Sequence, residues 1–443
     1  MYQTVDELLD KLDLDPFLQG EALYLALEAE KQKTLRRLNN SFGKQRLELD
    51  LQLLLEDIED AQLRLTNGAV SSGPLGPETG FVAEKELRIS DVTFVPRVSA
   101  GSRAQARDIF KKGIQHYNSK KYEQAVAYFE QAAQLDYALA QFFLGLCYYE
   151  GTGVPADKAK TMYWYTKAAE NGYAYAQLFL AFRYLSEGST QEDKEKEAYW
   201  YQKAAEQGIG YAQLGLALCY DEGTGVERSR EKAAYWYQRA AAQDIIQAQY
   251  NLALRYNSGD GIAKDPEQAI YWYTKAAEQG FAPAQNNLGV IYYRSFLDSD
   301  SPDEAKKGLY WLKKAAARGQ TEAQHALGYM YESGLGATKN LDLSVRWYQK
   351  AADKGYAKAQ TALGLLYQSG HGVKKDEAQA VYWYQKAAAQ GDAEAQYDLG
   401  LLTYVGRGIR QNIPEAQALL NKAADQGHVE ARDILSKLKA DPT

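Results

Sequence analysis

The chain has 443 residues, which is enough for two or three ordinary domains or for one long repeat array. Its net charge of −7 at pH 7, with Lys and Glu interspersed, excludes the basic surface typical of nucleic-acid binding proteins. Mean hydropathy is −0.52 and no run of about 18 apolar residues occurs, so we expect no membrane-spanning helix. With two cysteines and four scattered histidines, the sequence predicts no disulfide scaffold, no metal site and no cofactor.

The first 66 residues are acidic, with 14 acidic and 8 basic side chains, and predict an N-terminal helical arm. The chain start lacks the basic and apolar regions of a secretory signal, so we expect a cytoplasmic protein. From Leu47 to Leu65, six apolar residues step by four and three positions, as in a coiled-coil seam. Two interpretations stay open: residues 19–65 pair two chains into a homodimer, or they form an amphipathic hairpin packed on the rest of the molecule.

Residues 67–100 differ from the arm in composition. The stretch Asn67–Gly80 reads NGAVSSGPLGPETG and predicts a flexible linker. Residues 81–98 carry apolar side chains without a helical period, and Pro96 interrupts them. They are either disordered or an extended peptide docked on a surface, for which the chain's own groove is one candidate.

Tryptophan marks a repeat over most of the remaining chain. Successive spacings are 36, 36, 36, 39, 36 and 36 residues, and a fixed period of this length is typical of a solenoid. We attribute the single spacing of 39 to a longer loop around Asp298–Asp303. The seven tryptophans are Trp164, Trp200, Trp236, Trp272, Trp311, Trp347 and Trp383.

Each period contains two segments that predict helices. Around each Trp, apolar residues recur with helical spacing until a Gly, such as Gly391, ends the segment. In the other segment, a Gly or Ala after Leu lets two helices approach closely. Gly-x-Gly loops join the segments, and without the Lys-Ser/Thr of a phosphate loop they predict tight turns. A repeated Gln, such as Gln213, is expected to satisfy backbone groups between repeats.

The pattern A-x-A-Q-x-x-L-G-x-x-Y-x-x-G-x-G followed by W-Y-x-K-A-A-x-x-G resembles the Sel1-like repeat family over residues 137–440. The segment just upstream resembles a tetratricopeptide unit, so we assign residues 101–136 to a capping unit. The resemblance implies an all-α fold, a right-handed α/α superhelical solenoid of helix hairpins. Known members mostly act as adaptors that assemble protein complexes, often in bacterial envelope, signalling or host-interaction systems.

A Tyr–Lys ladder is the candidate binding surface. In most repeats a Tyr precedes the Trp, and a Lys or Arg follows that Tyr by four residues, which places both on one helix face. Resemblance to tetratricopeptide solenoids implies that these helices line the concave side, where Lys would favour acidic partners or a free C-terminus. The alternative is that the tyrosines only pack between helices while the lysines are solvated. The ladder consists of Tyr163, Lys167, Tyr199, Lys203, Tyr235, Arg239, Tyr271, Lys275, Tyr310, Lys314, Arg346, Lys350, Tyr382 and Lys386.

No arrangement of nucleophile, base or paired carboxylates points to catalysis, so we predict no enzyme. The primary hypothesis is a protein-binding adaptor or scaffold that grips a partner along the concave surface. Two alternatives remain: a binder or processor of a small molecule or cell-wall fragment, and a structural oligomer built through the N-terminal arm.

Overall fold

A computed structural model describes residues 100–440 and the single residue Thr34. The described chain divides into two compact units between Asp265 and Pro266. Nine helices make up the described part of the first unit. They are α1 (Ala100–Asn118), α2 (Tyr122–Gln134), α3 (Ala138–Glu150), α4 (Lys158–Glu170), α5 (Ala174–Glu187), α6 (Gln191–Glu206), α7 (Gly210–Glu222), α8 (Arg230–Ala241) and α9 (Ile246–Ser258).

The second unit contains ten helices within the described residues. They are α10 (Pro266–Glu278), α11 (Ala282–Ser299), α12 (Pro302–Ala317), α13 (Thr321–Ser333), α14 (Leu341–Asp353), α15 (Ala357–Ser369), α16 (Glu377–Ala389), α17 (Ala393–Val405), α18 (Ile413–Asp425) and α19 (Val429–Ala440). Consecutive helices pack against each other in both units.

The predicted all-α repeat fold is confirmed, and residues 100–440 contain no β-strand. Helices with the repeated Gln alternate with helices that carry the Trp. We call the first set Gln helices (α3, α5, α7, α9, α11, α13, α15 and α17) and the second set Trp helices (α4, α6, α8, α10, α12, α14 and α16). The predicted arm (1–66, except Thr34) and residues 67–99 lie outside the described residues.

A buried Tyr directly after the Trp anchors each hairpin. Tyr201 is fully buried and lies over Gly215 of the following Gln helix. A Cβ at Gly215 would lie only 2.5 Å from the Tyr201 ring, so the small residue allows the close approach that the sequence predicts. The buried residues of this type are Tyr165, Tyr201, Tyr237, Tyr273, Tyr348 and Tyr384, with Leu312 at the same position in α12.

The Gly-x-Gly loops are tight turns, as predicted. Gly223 ends α7 with φ +76°, and Gly225 follows with φ +68°, both in the left-handed region. A Cβ at Gly225 would lie 2.0 Å from the Lys194 carbonyl oxygen. The second glycine therefore lets the loop pack directly on the backbone of the preceding Trp helix.

The three extra residues between Trp272 and Trp311 lengthen a helix, so the predicted long loop at Asp298–Asp303 is wrong. Helix α11 has 18 residues, whereas most Gln helices have 13. Where α7 has its terminal Gly223, α11 has Ser295, and the helix continues to Asp300 at φ +51°. Without a glycine at the usual position, nothing favours the left-handed glycine that ends six of the other seven Gln helices.

The repeated Gln joins neighbouring segments through buried hydrogen bonds. Gln213 Nε2 donates to the carbonyl of Ala205, eight residues earlier, at the end of the preceding Trp helix. Its Oε1 accepts a hydrogen bond from Nε2 of Gln243, in the turn of the next repeat. The predicted role of this residue, to satisfy backbone groups between repeats, is confirmed.

Candidate functional site

Six tyrosines of the ladder project from Trp helices with roughly half of each side chain accessible. Their exposed fractions lie between 45% and 54%. The flanking Ala residues on the same helices are buried, which fixes each helix with its Tyr outward. In the first unit these tyrosines are Tyr163, Tyr199 and Tyr235, and in the second they are Tyr271, Tyr310 and Tyr382.

Each exposed Tyr packs edge-on against the Trp that follows it. The ring centroids are 4.9–5.1 Å apart and the planes meet at 74–83°. This T-shaped arrangement is favourable for aromatic pairs. It holds the Tyr ring in place while leaving part of it accessible.

The basic member of the ladder lies over the Tyr ring of its own helix in five repeats. Lys314 and Lys386 have Nζ 4.5 Å from the ring centroids of Tyr310 and Tyr382. The corresponding distances are 5.6 Å for Lys203, 5.7 Å for the guanidinium carbon of Arg239 and 5.7 Å for Lys275. Cations within about 6 Å of an aromatic centroid are attracted to the ring. In these five repeats, the Tyr and the basic residue four positions later therefore form a cation–π pair.

Two repeats depart from this arrangement. Lys167 forms an ion pair with Glu170 at 3.3 Å. Arg346 replaces Tyr, and Lys350 lies 4.3 Å from the ring centroid of Trp347.

Tryptophan also contacts the cations of the ladder, although the sequence pattern did not place it in the candidate surface. Lys314 and Lys386 each lie 5.1 Å from the ring of the Trp beside their Tyr. Trp and the following Lys or Arg are three residues apart in every repeat, and that spacing would have predicted the contact. Trp311 and Trp383 belong to the core, whereas the other five tryptophans are only partly buried.

Some buried titratable groups lie outside the ladder. Glu197 of α6 is 5% exposed and lies 3.9 Å from the Sγ atom of Cys219, and burial raises the pKa of its carboxyl group. Burial, with Glu197 and Glu222 nearby, raises the pKa of the Cys219 thiol to about 12. Burial lowers the pKa of His325 to about 4, to which Lys358 contributes.

Asp398 of α17 is also buried. Its Oδ2 atom has no hydrogen-bond partner. Burial, together with the nearby charge of Glu394, raises the pKa of its carboxyl group to about 6, while Tyr384 and His428 act in the opposite direction.

Metal-binding and membrane-spanning features are absent from the described part of the chain. Residues 100–440 hold no cluster of three His, Cys, Asp or Glu side chains arranged for a metal ion. None of the helices within this range combines the length and the apolar character that a bilayer crossing needs.

The Sel1 repeat model matches nine consecutive segments of the chain. They are residues 110–137, 138–173, 174–209, 210–245, 246–281, 282–320, 321–356, 357–392 and 393–428. The chain belongs to the Sel1 repeat family. Its members share a helical-repeat scaffold that is typically non-catalytic and commonly used for protein–protein interaction.

Two solved structures are similar to this chain, and the first agrees with the Sel1 assignment. A protective antigen of uropathogenic Escherichia coli with the same type of fold is 33% identical, with a TM-score of 0.68, and the match covers 76% of this chain and 73% of that one. A Sel1 repeat protein from Oxalobacter formigenes is 30% identical, with a TM-score of 0.48, over 56% of this chain and 96% of that one. No curated protein matches the sequence.

The Sel1 model begins each repeat with the Gln helix, whereas the prediction of a concave ladder took the Trp helix as the first helix of the repeat. The segment 210–245 begins with Gln helix α7 and ends with Trp helix α8, so the Trp helix comes second. The predicted concave position of the ladder assumed that the Trp helix comes first. That position stays a prediction, and the exposure and spacing of the ladder are independent of it.

Proposed function

We propose that this Sel1 repeat protein is a non-catalytic adaptor that binds an acidic segment of a partner protein along the Tyr–Lys ladder. The supporting observation is the repeated cluster of an exposed Tyr, a supporting Trp and a cation over the rings. A cation lies over the exposed Tyr in two repeats of the first unit and in three of the second, so a partner segment would meet equivalent contacts in those repeats.

The chemistry of the cluster suits protein recognition. Tyr offers a large contact area and loses little conformational entropy on binding, because it has only two side-chain torsions. A Trp beneath it limits its motion further. The cation remains partly solvated and can pair with a partner carboxylate, which favours acidic segments over basic ones.

Affinity capture from native lysate with matched variants tests this proposal. The ladder variant is Tyr163→Ala/Tyr199→Ala/Tyr235→Ala, which removes exposed rings from the first unit. The control is Phe182→Ala/Leu218→Ala/Leu254→Ala, which removes exposed apolar side chains from the Gln helices of the same unit. Circular dichroism checks that both variants keep the helical content of the unmodified chain.

We expect the ladder variant to lose a discrete set of proteins that the control variant retains. We also expect capture to weaken as ionic strength rises, because Lys–carboxylate contacts at a surface are screened. Retention of every captured protein by the folded ladder variant would contradict the proposal.

A further inference from the structure

A basic residue replaces an amide at one turn position in two neighbouring repeats of the second unit. This position lies eight residues after the first ladder residue of each Trp helix, where the helix has ended. We call it the turn position. It is Arg318 after α12 and Lys354 after α14. In the other five repeats it is Asn171, Gln207, Gln243, Gln279 and Gln390.

The residue at the turn position also contacts the preceding turn. Gln243 Nε2 donates a hydrogen bond to Oε1 of Gln213 and another to the carbonyl of Gly208. Lys354 forms the equivalent of the second bond, from its Nζ atom to the carbonyl of Gly319 at 2.7 Å. The turn after α14 therefore lies directly against the turn after α12.

The two cations do not replace the buried hydrogen bond between amides. Gln285 and Gln324 are the repeated Gln residues of these two repeats, and both are buried. Within the described residues, neither Oε1 atom accepts a hydrogen bond. The exchange of an amide for Arg318 or Lys354 thus removes a buried hydrogen bond and adds a surface charge. A local loss of this kind is typical of positions that serve function.

The cations at the turn position extend the basic face of their helices. Residues four apart lie on one helix face, and Lys314 and Arg318 have this spacing on α12, as do the three basic residues of α14. We call these five residues the basic patch: Lys314, Arg318, Arg346, Lys350 and Lys354. All five are exposed, and none forms an ion pair with any carboxylate of residues 100–440.

Charges of both signs distinguish these two repeats from the others. The segments 310–322 and 346–358 run from the ladder position to the start of the next Gln helix, and together they hold seven basic and two acidic side chains. In 163–175, 199–211, 235–247 and 271–283, each segment holds one basic and one acidic side chain. The segment 382–394 holds one basic and two acidic side chains. Net positive charge is therefore concentrated around α12 and α14.

The first turns of the two helices do not offset this charge. At the start of α12, Lys306 and Lys307 pair with Asp303 and Glu304, so that end of the helix is neutral. Over the ranges 302–322 and 341–358, which include both complete helices, basic side chains outnumber acidic ones by nine to five. The excess of positive charge thus remains when every charge on these helices is counted.

We propose that the basic patch selects acidic partners, by binding a run of Asp or Glu residues in the partner segment. This inference rests on the proposed function and assigns its preference for acidic segments to two repeats of the second unit. A guanidinium can donate two parallel hydrogen bonds to one carboxylate, which suits Arg318 and Arg346 to this role. Repeats whose segments are neutral offer contact area but little net attraction for a carboxylate.

Fluorescence anisotropy on the full chain tests this inference with two labelled synthetic peptides. One is a short peptide of Glu and Ala, and the other has Gln in place of every Glu. We expect the unmodified chain to bind the Glu peptide at least about tenfold more tightly than the Gln peptide. Its affinity for the Glu peptide should fall as ionic strength rises.

The patch variant is Arg318→Gln/Lys354→Gln, which places at both turn positions the amide found in most other repeats. The new amides can donate to the Oε1 atoms of Gln285 and Gln324, so we expect no loss of stability in urea denaturation. The affinity for the Glu peptide should fall by about tenfold, because two of the five cations of the patch are lost.

Two further variants remove the same charge elsewhere. Lys306→Gln/Lys307→Gln acts on α12 outside the basic patch and should bind the Glu peptide within about twofold of the unmodified chain. Lys203→Gln/Arg239→Gln removes ladder cations from neutral segments of the first unit. We expect it to weaken binding by about threefold or less.

The outcomes separate this inference from the proposed function. If either of these two variants loses as much affinity as the patch variant, acidic segments are bound without preference for the basic patch, and the inference is overturned while the proposed function stands. If the unmodified chain binds the two peptides equally, or binds neither, the inference fails together with the acidic preference of the ladder. Affinity capture with the Tyr variants then tests protein binding by the ladder on its own.

Discussion

The side-chain amide of Gln243 donates a hydrogen bond to Oε1 of Gln213 over 2.8 Å, across 30 residues of chain. Both side chains are buried. Equivalent bonds join Gln207 to Gln177, and Asn171 to Gln141. Because Gln213 Nε2 also donates to the Ala205 carbonyl, one side chain connects three successive segments of the stack.

Gln213→Leu should lower the free energy of unfolding by about 2–3 kcal/mol, since the buried Ala205 carbonyl loses its side-chain donor and Gln243 loses an acceptor. Gln324→Leu is the matched control, because Gln324 Oε1 accepts no hydrogen bond and only the bond to the Ala316 carbonyl is lost. We expect a cost of about 1–2 kcal/mol there. Urea denaturation followed by circular dichroism measures both costs, and amide exchange identifies which of the two units unfolds. Equal costs would show that the bond between repeats contributes little.

Gly225→Ala should be strongly destabilising, by about 3 kcal/mol or more, because φ is +68° and the new Cβ would overlap the Lys194 carbonyl. Gly391→Ala has a similar φ of +89° but nothing within 4 Å of the added carbon. Its expected cost is about 1 kcal/mol, from backbone conformation alone. Thermal unfolding of the two variants compares them, and a cost at Gly391 as large as that at Gly225 would contradict the close packing of the loop.

The change in the free energy of unfolding caused by Asp398→Asn should be more favourable at pH 8 than at pH 4. Burial and Glu394 raise the folded-state pKa of Asp398 to about 6, above its ordinary value of 3.8. The free energy of unfolding therefore falls as pH rises from about 4 through 6, because the folded state holds the proton more tightly. Asn cannot ionise, so the difference between variant and unmodified chain should change by about 2–3 kcal/mol in favour of the variant. Urea denaturation at pH 4, 6 and 8 measures it, and a difference independent of pH would contradict the raised pKa.

The helices, turns and Gln contacts could be predicted because each depends on residues close together in the repeat. The Trp period gives the hairpins, and Gly223 and Gly225 give the turns. Single departures from the repeat pattern were harder to interpret from the sequence. Ser295 in place of glycine extends α11, whereas the Trp spacing alone suggested a longer loop after this helix.

Other features depend on neighbours that a single helix does not reveal. Glu197 lies in the polar run QEDKEKE and would be expected at the surface, yet it is buried against Cys219 of another helix. The exposure of Leu218 and Leu254 was missed because both resemble core leucines in the sequence, and only packing shows that they are exposed. For the ladder, the spacing of Tyr and Lys was sufficient, because that contact forms within one helix turn.

Site-specific photo-crosslinking tests the ladder proposal most directly. A benzophenone amino acid replaces Tyr199 in one variant and Leu218 in another, and each full chain is irradiated in native lysate before mass spectrometry. The adaptor proposal predicts a discrete crosslink from position 199 to an acidic segment of a partner protein, which excess free poly-glutamate suppresses. The absence of any specific crosslink from position 199, whether or not position 218 forms one, would contradict it.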